Sequence, residues 1–276
     1  MIKFLKSLFI FSLLTLITQV VGIIYLIYKP LGILIKKRVI NRWKRYLLKS
    51  AAFSALMILF SLFIIPPIAR TFGRVPLPLA ASEEVPLQPA NIFLAICNRH
   101  YVKPALKELS IEVSQELARK YPGTILNYLD ANFPFFDGFP LLPHRSHDDG
   151  EKLDFGFLYQ DPKTGKRINA SPTLFGYGYS EGPAPGEYDQ IKACTNKGYW
   201  QYDLLSKLAS DKSDRYQFDI EANRALINLL IAHPETKKIF IEPHLKTRLG
   251  FSNAGKVRFH GCKAVRHDDH IHIEIK

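Results

Sequence analysis

The chain has 276 residues, which is enough for one domain with a sizeable core plus additional segments. Its formal net charge of +12 would by itself indicate a nucleic-acid or membrane-surface partner. The first 69 residues, however, contain 10 of the 37 Lys and Arg residues and no Asp or Glu, which leaves 27 basic and 25 acidic residues in the remainder. Because the remainder is nearly neutral, the composition argues against nucleic-acid binding.

The first 69 residues contain two uncharged apolar stretches, residues 7–28 and residues 51–68, of 22 and 18 residues. A membrane-spanning helix needs about 20 such residues. The connection between them carries eight basic residues and no acidic one, and short loops this basic stay in the cytoplasm. We therefore predict a membrane anchor (residues 1–69) with two transmembrane helices. The rest of the chain would lie on the periplasmic or extracellular side of a bacterial cytoplasmic membrane. A buried core hairpin and a single span, which would reverse the topology, are the alternatives.

Residues 70–90 contain four prolines and few large apolar side chains, so we predict an extended linker there. From residue 91 onward, short helices alternate with strands. Apolar residues at helical spacing predict one helix after Pro104 and a second after Asp219, a plausible N-cap. Strands are predicted at residues 125–129, 239–242 and 270–275. Residues 91–276 thus form an α+β domain with a small, mainly antiparallel sheet and flanking helices.

The cysteines Cys97, Cys194 and Cys262 show no CxxC spacing. This excludes a disulfide framework and a thiolate zinc knuckle. One disulfide with one free thiol is compatible with a location outside the cytoplasm, and the sequence leaves the pairing open.

Two segments, residues 143–154 and 266–275, contain five of the nine histidines. In the last strand, alternation places Ile271, Ile273 and Ile275 on the core face and the polar residues His270, His272 and Glu274 on the opposite face. In an earlier strand Leu153, Phe155, Phe157 and Tyr159 form the apolar face, and Asp154 points to the opposite side. If the two strands are neighbours, His272 and Asp154 converge.

His147 lies on the turn that leads into the strand of Asp154. Two imidazoles and one carboxylate, from His147, Asp154 and His272, leave a fourth position open on zinc, as a catalytic site requires. The surplus histidines His144, His267 and His270 are candidates for a general base and for stabilisers of an oxyanion. A solvated strand face and a loose sink for divalent metals are the alternatives on spacing alone.

The pattern His147-x6-Asp154 followed by His270-x-His272 resembles the signature of zinc peptidases that share a fold with lysostaphin, D-alanyl-D-alanine carboxypeptidases and the hedgehog amino-terminal domain. His144 and His267, each three residues before one of these histidines, make the chain more narrowly similar to penicillin-insensitive murein endopeptidases. The resemblance covers residues 95–276 and excludes the apolar N-terminal segment.

The resemblance implies that Zn²⁺ is bound by His147, Asp154 and His272, with His270 as the general base. It places His144 and His267 around the open coordination position. Asp268 or Asp269 is predicted to orient a ligating imidazole.

The implied substrate is the peptide cross-link of peptidoglycan, so the expected partners are peptidoglycan peptides and the lipid bilayer. Two other functions fit the same residues. A D-alanyl-D-alanine carboxypeptidase or dipeptidase would use Arg145 or Arg266 to hold a terminal carboxylate. A non-catalytic, zinc-containing module would bind the cell wall. The oligomeric state is not predicted.

Overall fold

A computed structural model describes residues 1–203 and 214–276 of the chain. It is an α+β protein, as predicted, in which several N-terminal helices precede a domain built on a mixed sheet.

The N-terminal helices are α1 (Ile2–Thr18), α2 (Val21–Arg38), α3 (Arg42–Leu59) and α4 (Ile65–Thr71), with a π-helical turn at Phe60–Ile64 joining the last two. The prediction of two transmembrane helices is wrong. In the described residues one helix, Arg42–Thr71, is long and apolar enough to cross a membrane. Its 30 residues correspond to a length of about 45 Å.

The expected first span, residues 7–28, is interrupted between α1 and α2. Gln19 has a positive φ of 63°, and the Thr18 hydroxyl accepts a hydrogen bond from the Val21 N–H at 2.9 Å. Gly22 follows the turn, and a Cβ there would lie 2.6 Å from the carbonyl oxygen of Phe11. A polar turn and a glycine that permits close helix contact thus convert one apolar stretch into a helical hairpin. Hydropathy along the sequence cannot reveal such a turn.

Residues 70–90 were predicted to be an extended linker, but in the structure they pair with strands of the domain. They contain β1 (Val75–Pro76), which pairs with β3 (Tyr101–Val102), and β2 (Leu87–Pro89), which pairs with β4 (Leu126–Tyr128). Pro76 and Pro89 stand in short edge strands, where a missing N–H donor is tolerated. Leu77 and Leu87 are buried in the main core, so this segment is part of the domain.

The main sheet has six strands in the order β10–β9–β11–β5–β4–β2, completed by β5 (Lys152–Gly156), β9 (Thr236–Phe240), β10 (Val257–Arg258) and β11 (His270–Ile275). Its three central pairings are antiparallel, whereas the pairings at both edges are parallel. Helices α6 (Pro104–Lys120) and α8 (Ile220–Ala232) contribute their buried stripes to the same core as Ile271 and Ile273, which confirms both predicted helices.

The remaining elements are short. A three-stranded sheet consists of β6 (Tyr159–Gln160), β7 (Arg167–Ile168) and β8 (Gln217–Phe218). Helices α5 (Ile92–Ile96), α7 (Gln190–Asn196) and α9 (Pro243–Arg248) and a 3₁₀ turn at Trp200–Asp203 complete the described chain. A disulfide joins Cys194 in α7 to Cys262, and Cys97 is a free thiol.

Candidate metal centre

The antiparallel pairing of β5 and β11 brings two of the three predicted ligands, Asp154 and His272, together. His272 is the register partner of Asp154, while Ile271 faces Phe155 and Ile273 faces Leu153 across the same pair of strands. The Nδ1 atom of His272 lies 2.8 Å from Oδ1 of Asp154. The prediction that these two residues converge is therefore confirmed, and its cause is the two-residue repeat of the strands.

His147 joins this pair from the loop that precedes β5. Its Nε2 lies 3.0 Å from Nδ1 of His272 and 3.2 Å from Oδ1 of Asp154. Its Nδ1 donates a hydrogen bond to the carbonyl oxygen of Ala131 at 2.8 Å, which fixes the ring. We refer to His147, Asp154 and His272 as the ligand cluster. All three side chains are buried.

The ligand cluster has more electron pairs than protons. Because Nδ1 of His147 donates to a carbonyl, Nε2 of the neutral ring carries a lone pair, and Oδ1 of Asp154 is also an acceptor. Only a proton on Nδ1 of His272 can satisfy these two acceptors, Nε2 of His147 and Oδ1 of Asp154. Ligand atoms about 2.0–2.2 Å from a tetrahedral zinc ion are separated by about 3.3–3.6 Å. The three distances in this cluster, 2.8, 3.0 and 3.2 Å, are slightly shorter. The donor set and its spacing therefore fit a divalent metal ion.

His144 offers a second way to complete a metal site. The ligand atoms of His144, His147 and Asp154 lie within 4.8 Å of one another, so this buried group can hold a metal ion. However, Nδ1 of His144 lies 2.9 Å from Oδ2 of Asp130 and 3.4 Å from Oδ2 of Asp154. Since Asp130 occupies that nitrogen, the ligand cluster is the tighter of the two arrangements.

Tyr177 supports the second oxygen of Asp154. Its hydroxyl donates to Oδ2 at 2.7 Å and accepts a hydrogen bond from the Asp130 N–H at 3.0 Å. Burial, followed by the charges of Asp130 and Asp154, holds the pKa of Tyr177 well above its usual value, so the hydroxyl remains a donor. Nothing in the sequence predicted this contact, because Tyr177 lies 23 residues after Asp154 and outside both histidine-rich segments.

Asp269 orients His270, the predicted general base, whereas the sequence analysis expected Asp268 or Asp269 to orient a ligating imidazole. Nδ1 of His270 lies 2.5 Å from Oδ1 of Asp269, whose other oxygen accepts the Gly178 N–H. Nε2 of His270 is buried, has no hydrogen-bond partner among the described residues and lies 3.7 Å from Oδ2 of Asp154. Burial opposes protonation of the ring, but Asp154 and Asp269 outweigh it and raise the pKa of His270 to about 9.

The other predicted residues occupy different positions. Asp268 pairs with Arg266 at 2.5 Å instead of contacting a ligand. The ring of His267 lies 4.9 Å from that of His270, and burial together with the neighbouring imidazoles holds its pKa well below the usual value. Arg145 is exposed at the rim of the site.

A cleft of about 560 Å³ opens over the ligand cluster. Six histidines line it: His144, His147, His260, His267, His270 and His272. His260 was not predicted. Its ring stacks on Phe240 at 4.3 Å and lies 5.9 Å from that of His272. The sequence signal was absent because His260 belongs to neither histidine-rich segment. Arg145 and Lys263 give the rim a positive charge.

The sequence matches no family model and no curated protein sequence.

Proposed function

We propose that the chain is a membrane-anchored zinc peptidase that hydrolyses peptide cross-links of peptidoglycan. The observation that supports it most directly is the convergence of His147, Asp154 and His272 within 3.2 Å, beneath a cleft with further histidines. The ligand cluster would hold the zinc ion. In such a site zinc activates a water molecule and polarises a carbonyl group.

The protein's own residues would handle the protons. His270 is suited to act as the general base, because its Nε2 is unpartnered and Asp269 holds the opposite nitrogen. The negative charge of Asp154 raises the pKa of His270. A divalent cation in the ligand cluster would offset that charge and would therefore favour the neutral form of the His270 ring. Asp130 and Tyr177 hold His144 and Asp154 in place. His144 and His267 would orient water or stabilise the oxyanion.

The substrate class rests on the resemblance to murein endopeptidases, which also implies a fold of the hedgehog and D-alanyl-D-alanine peptidase type. The arrangement of Asp154 on β5 and the His-x-His pair on β11 agrees with that implication. The positive rim formed by Arg145 and Lys263 would attract the carboxylates of stem peptides.

We further propose that Arg42–Thr71 crosses the bacterial cytoplasmic membrane and that the sheet domain lies on its outer side. A single span at this second apolar stretch does not reverse the topology, because the basic residues remain at its N-terminal end. The basic residues between positions 36 and 49 favour a cytoplasmic position for that end of the helix. The disulfide between Cys194 and Cys262 is typical of an oxidising compartment, which supports the same orientation.

Metal analysis of the full-length chain in detergent micelles tests this proposal, paired with release of muropeptides from cross-linked peptidoglycan. We expect one zinc ion per chain, lost together with cleavage in His147→Ala and in Asp154→Ala. His233→Ala is the matched control, because this histidine contacts Glu112 beyond α8 and should retain metal and activity. A wild-type chain without metal would overturn the proposal.

The rim cations also favour a second candidate, a D-alanyl-D-alanine carboxypeptidase or dipeptidase, since Arg145 can pair with a terminal carboxylate. Release of free D-alanine, without loss of cross-links, would identify that activity. Stoichiometric zinc without either cleavage would favour a cell-wall-binding module instead.

A further inference from the structure

The loop that carries His144 and His147 begins at Phe133, after β4, and ends at Gly150, before β5. We call residues 133–150 the ligand loop. Apart from short turns it contains no helix or strand, so its shape depends on side chains that hold its two ends. The residues that do this include Arg74, shortly after α4, Asn132, after β4, and Gln19, in the turn between α1 and α2.

Arg74 lies three residues after the end of α4 and is 1 % exposed. Its guanidinium donates to the carbonyl oxygens of Phe133 and of Asp148, the latter at 3.0 Å, and pairs with Asp137 at 2.5 Å. Phe133 opens the ligand loop, and Asp148 directly follows His147. One planar, multi-donor side chain thus ties together two positions 15 residues apart.

Gln19, at the turn between α1 and α2, contacts the same loop. Its side chain is buried, and its Oε1 accepts a hydrogen bond from the Phe135 N–H at 2.8 Å. Phe72, directly after α4, lies 5.2 Å from the rings of both Phe135 and Phe136. Val20 belongs to the small core cluster against which Phe135 packs. The helical hairpin and the end of the long helix therefore form one wall of the ligand loop.

From these contacts we infer that Arg74 is a positioning residue for the metal centre, supported by Gln19, and that the N-terminal helices are a structural part of that centre. The inference rests on the proposed zinc site. Arg74 and Gln19 do not touch the ligand cluster; they act by fixing the backbone on which His147 is mounted. Losing a hydrogen-bond partner of a metal ligand typically weakens metal affinity about 10- to 100-fold, and we expect an effect in this range because Arg74 fixes the backbone next to His147.

Arg74→Ala in the full-length chain, held in detergent micelles, is the primary test. Zinc affinity is measured by competition with a chelator, and hydrogen exchange is followed in the ligand loop and in β11. We expect weaker zinc binding by about 10- to 100-fold and faster exchange in residues 133–148, with β11 still protected. Gln19→Leu should give a smaller effect of the same kind. Arg74→Lys should restore part of the affinity, because its ammonium can still reach one carbonyl.

Two controls separate positioning from general destabilisation. Arg70→Ala removes an exposed arginine from the same helix end and should leave zinc affinity unchanged. Leu230→Ala creates a cavity in the core beneath α8 and should lower the melting temperature without changing zinc affinity.

Unchanged zinc affinity and unchanged loop exchange in Arg74→Ala would overturn the inference. So would an equal loss of affinity in Leu230→Ala at a matched melting temperature. A wild-type chain that binds no zinc would instead overturn the proposed function, so the two failures are distinguishable.

Discussion

The two halves of the metal centre are held in different ways. Asp154, His270 and His272 stand on paired strands in the middle of the main sheet, where backbone pairing holds His270 from one side and Asp154 and His272 from both sides. His144 and His147 stand on the ligand loop, where the side chains of Arg74, Asn132 and Gln19 replace a strand partner. The strand half is therefore rigid because of its backbone. The loop half is rigid only as long as distant side chains remain in place.

Removing one ligand from each half gives the largest expected contrast. Asp154→Ala should abolish zinc binding and lower the free energy of unfolding by about 3–5 kcal/mol. The reason is that the buried side chains around Asp154 lose the carboxylate with which they interact. His147→Ala should abolish zinc binding with a smaller stability loss. Metal analysis and chemical denaturation of the full-length chain measure both. Equal stability losses in the two variants would contradict the division into halves.

Glu242, a buried carboxyl group between β9 and α9, lies beside the strand half and makes the stability of the protein depend on pH. Burial raises the pKa of Glu242 to about 7, while the hydroxyl of Tyr202 donates to Oε1. The folded protein favours the neutral form of Glu242. The contribution of this neutral carboxyl group to the free energy of unfolding is therefore complete below about pH 4.5 and is lost as the pH rises to about 7.

Glu242→Gln should remove this pH dependence. In the wild type it corresponds to a loss of about 3 kcal/mol of unfolding free energy between pH 4.5 and about pH 7. Denaturation of both proteins at pH 4.5 and at pH 7.5 provides the comparison. The difference in stability between the variant and the wild type should grow in favour of the variant as the pH rises. A constant difference would show that Glu242 titrates normally in the fold.

Asn132 connects the two halves. It is fully buried; its Oδ1 accepts the Gly150 N–H at 3.1 Å and its Nδ2 donates to the Lys152 carbonyl at 2.8 Å. Asn132→Ala leaves both backbone groups unpaired and should cost about 2 kcal/mol of unfolding free energy. It should also weaken zinc binding, as we expect for Arg74→Ala. Asn253→Ala, at an exposed position, is the matched control. A stability loss without any change in zinc affinity would mean that the loop end tolerates displacement.

Tyr177→Phe should give the smallest effect. It removes the hydrogen bond to Asp154 and the acceptor of the Asp130 N–H but keeps the ring, so we expect about 1–2 kcal/mol lower stability and about tenfold weaker zinc binding. Tyr188→Phe, at an exposed position, serves as the control in the same chelator competition. Zinc affinity equal to that of the wild type would show that Asp154 needs no support from this loop.

The strand half was also the part that the sequence predicted well. Alternation in residues 270–275 placed His272 and the isoleucines on opposite faces. The same alternation in the neighbouring strand placed Asp154 opposite the apolar face of that strand. The supports of the loop half were not predictable in this way. Arg74 is separated from Phe133 by 59 residues, and no local pattern relates them. Tyr177 and His260 were missed for the same reason.

The sequence by itself determined the α+β class, the two core helices, the faces of the central strands and the concentration of metal-ligating side chains in two segments. Each of these follows from residue periodicity or composition, which are local properties. Only the tertiary structure decided that the first apolar stretch folds into a hairpin, that residues 70–90 belong to the domain, and which cysteines pair. It also decided that Gln19 and Arg74 reach the ligand loop. Those outcomes depend on contacts between distant residues, where hydrogen-bond satisfaction and packing act over the whole fold.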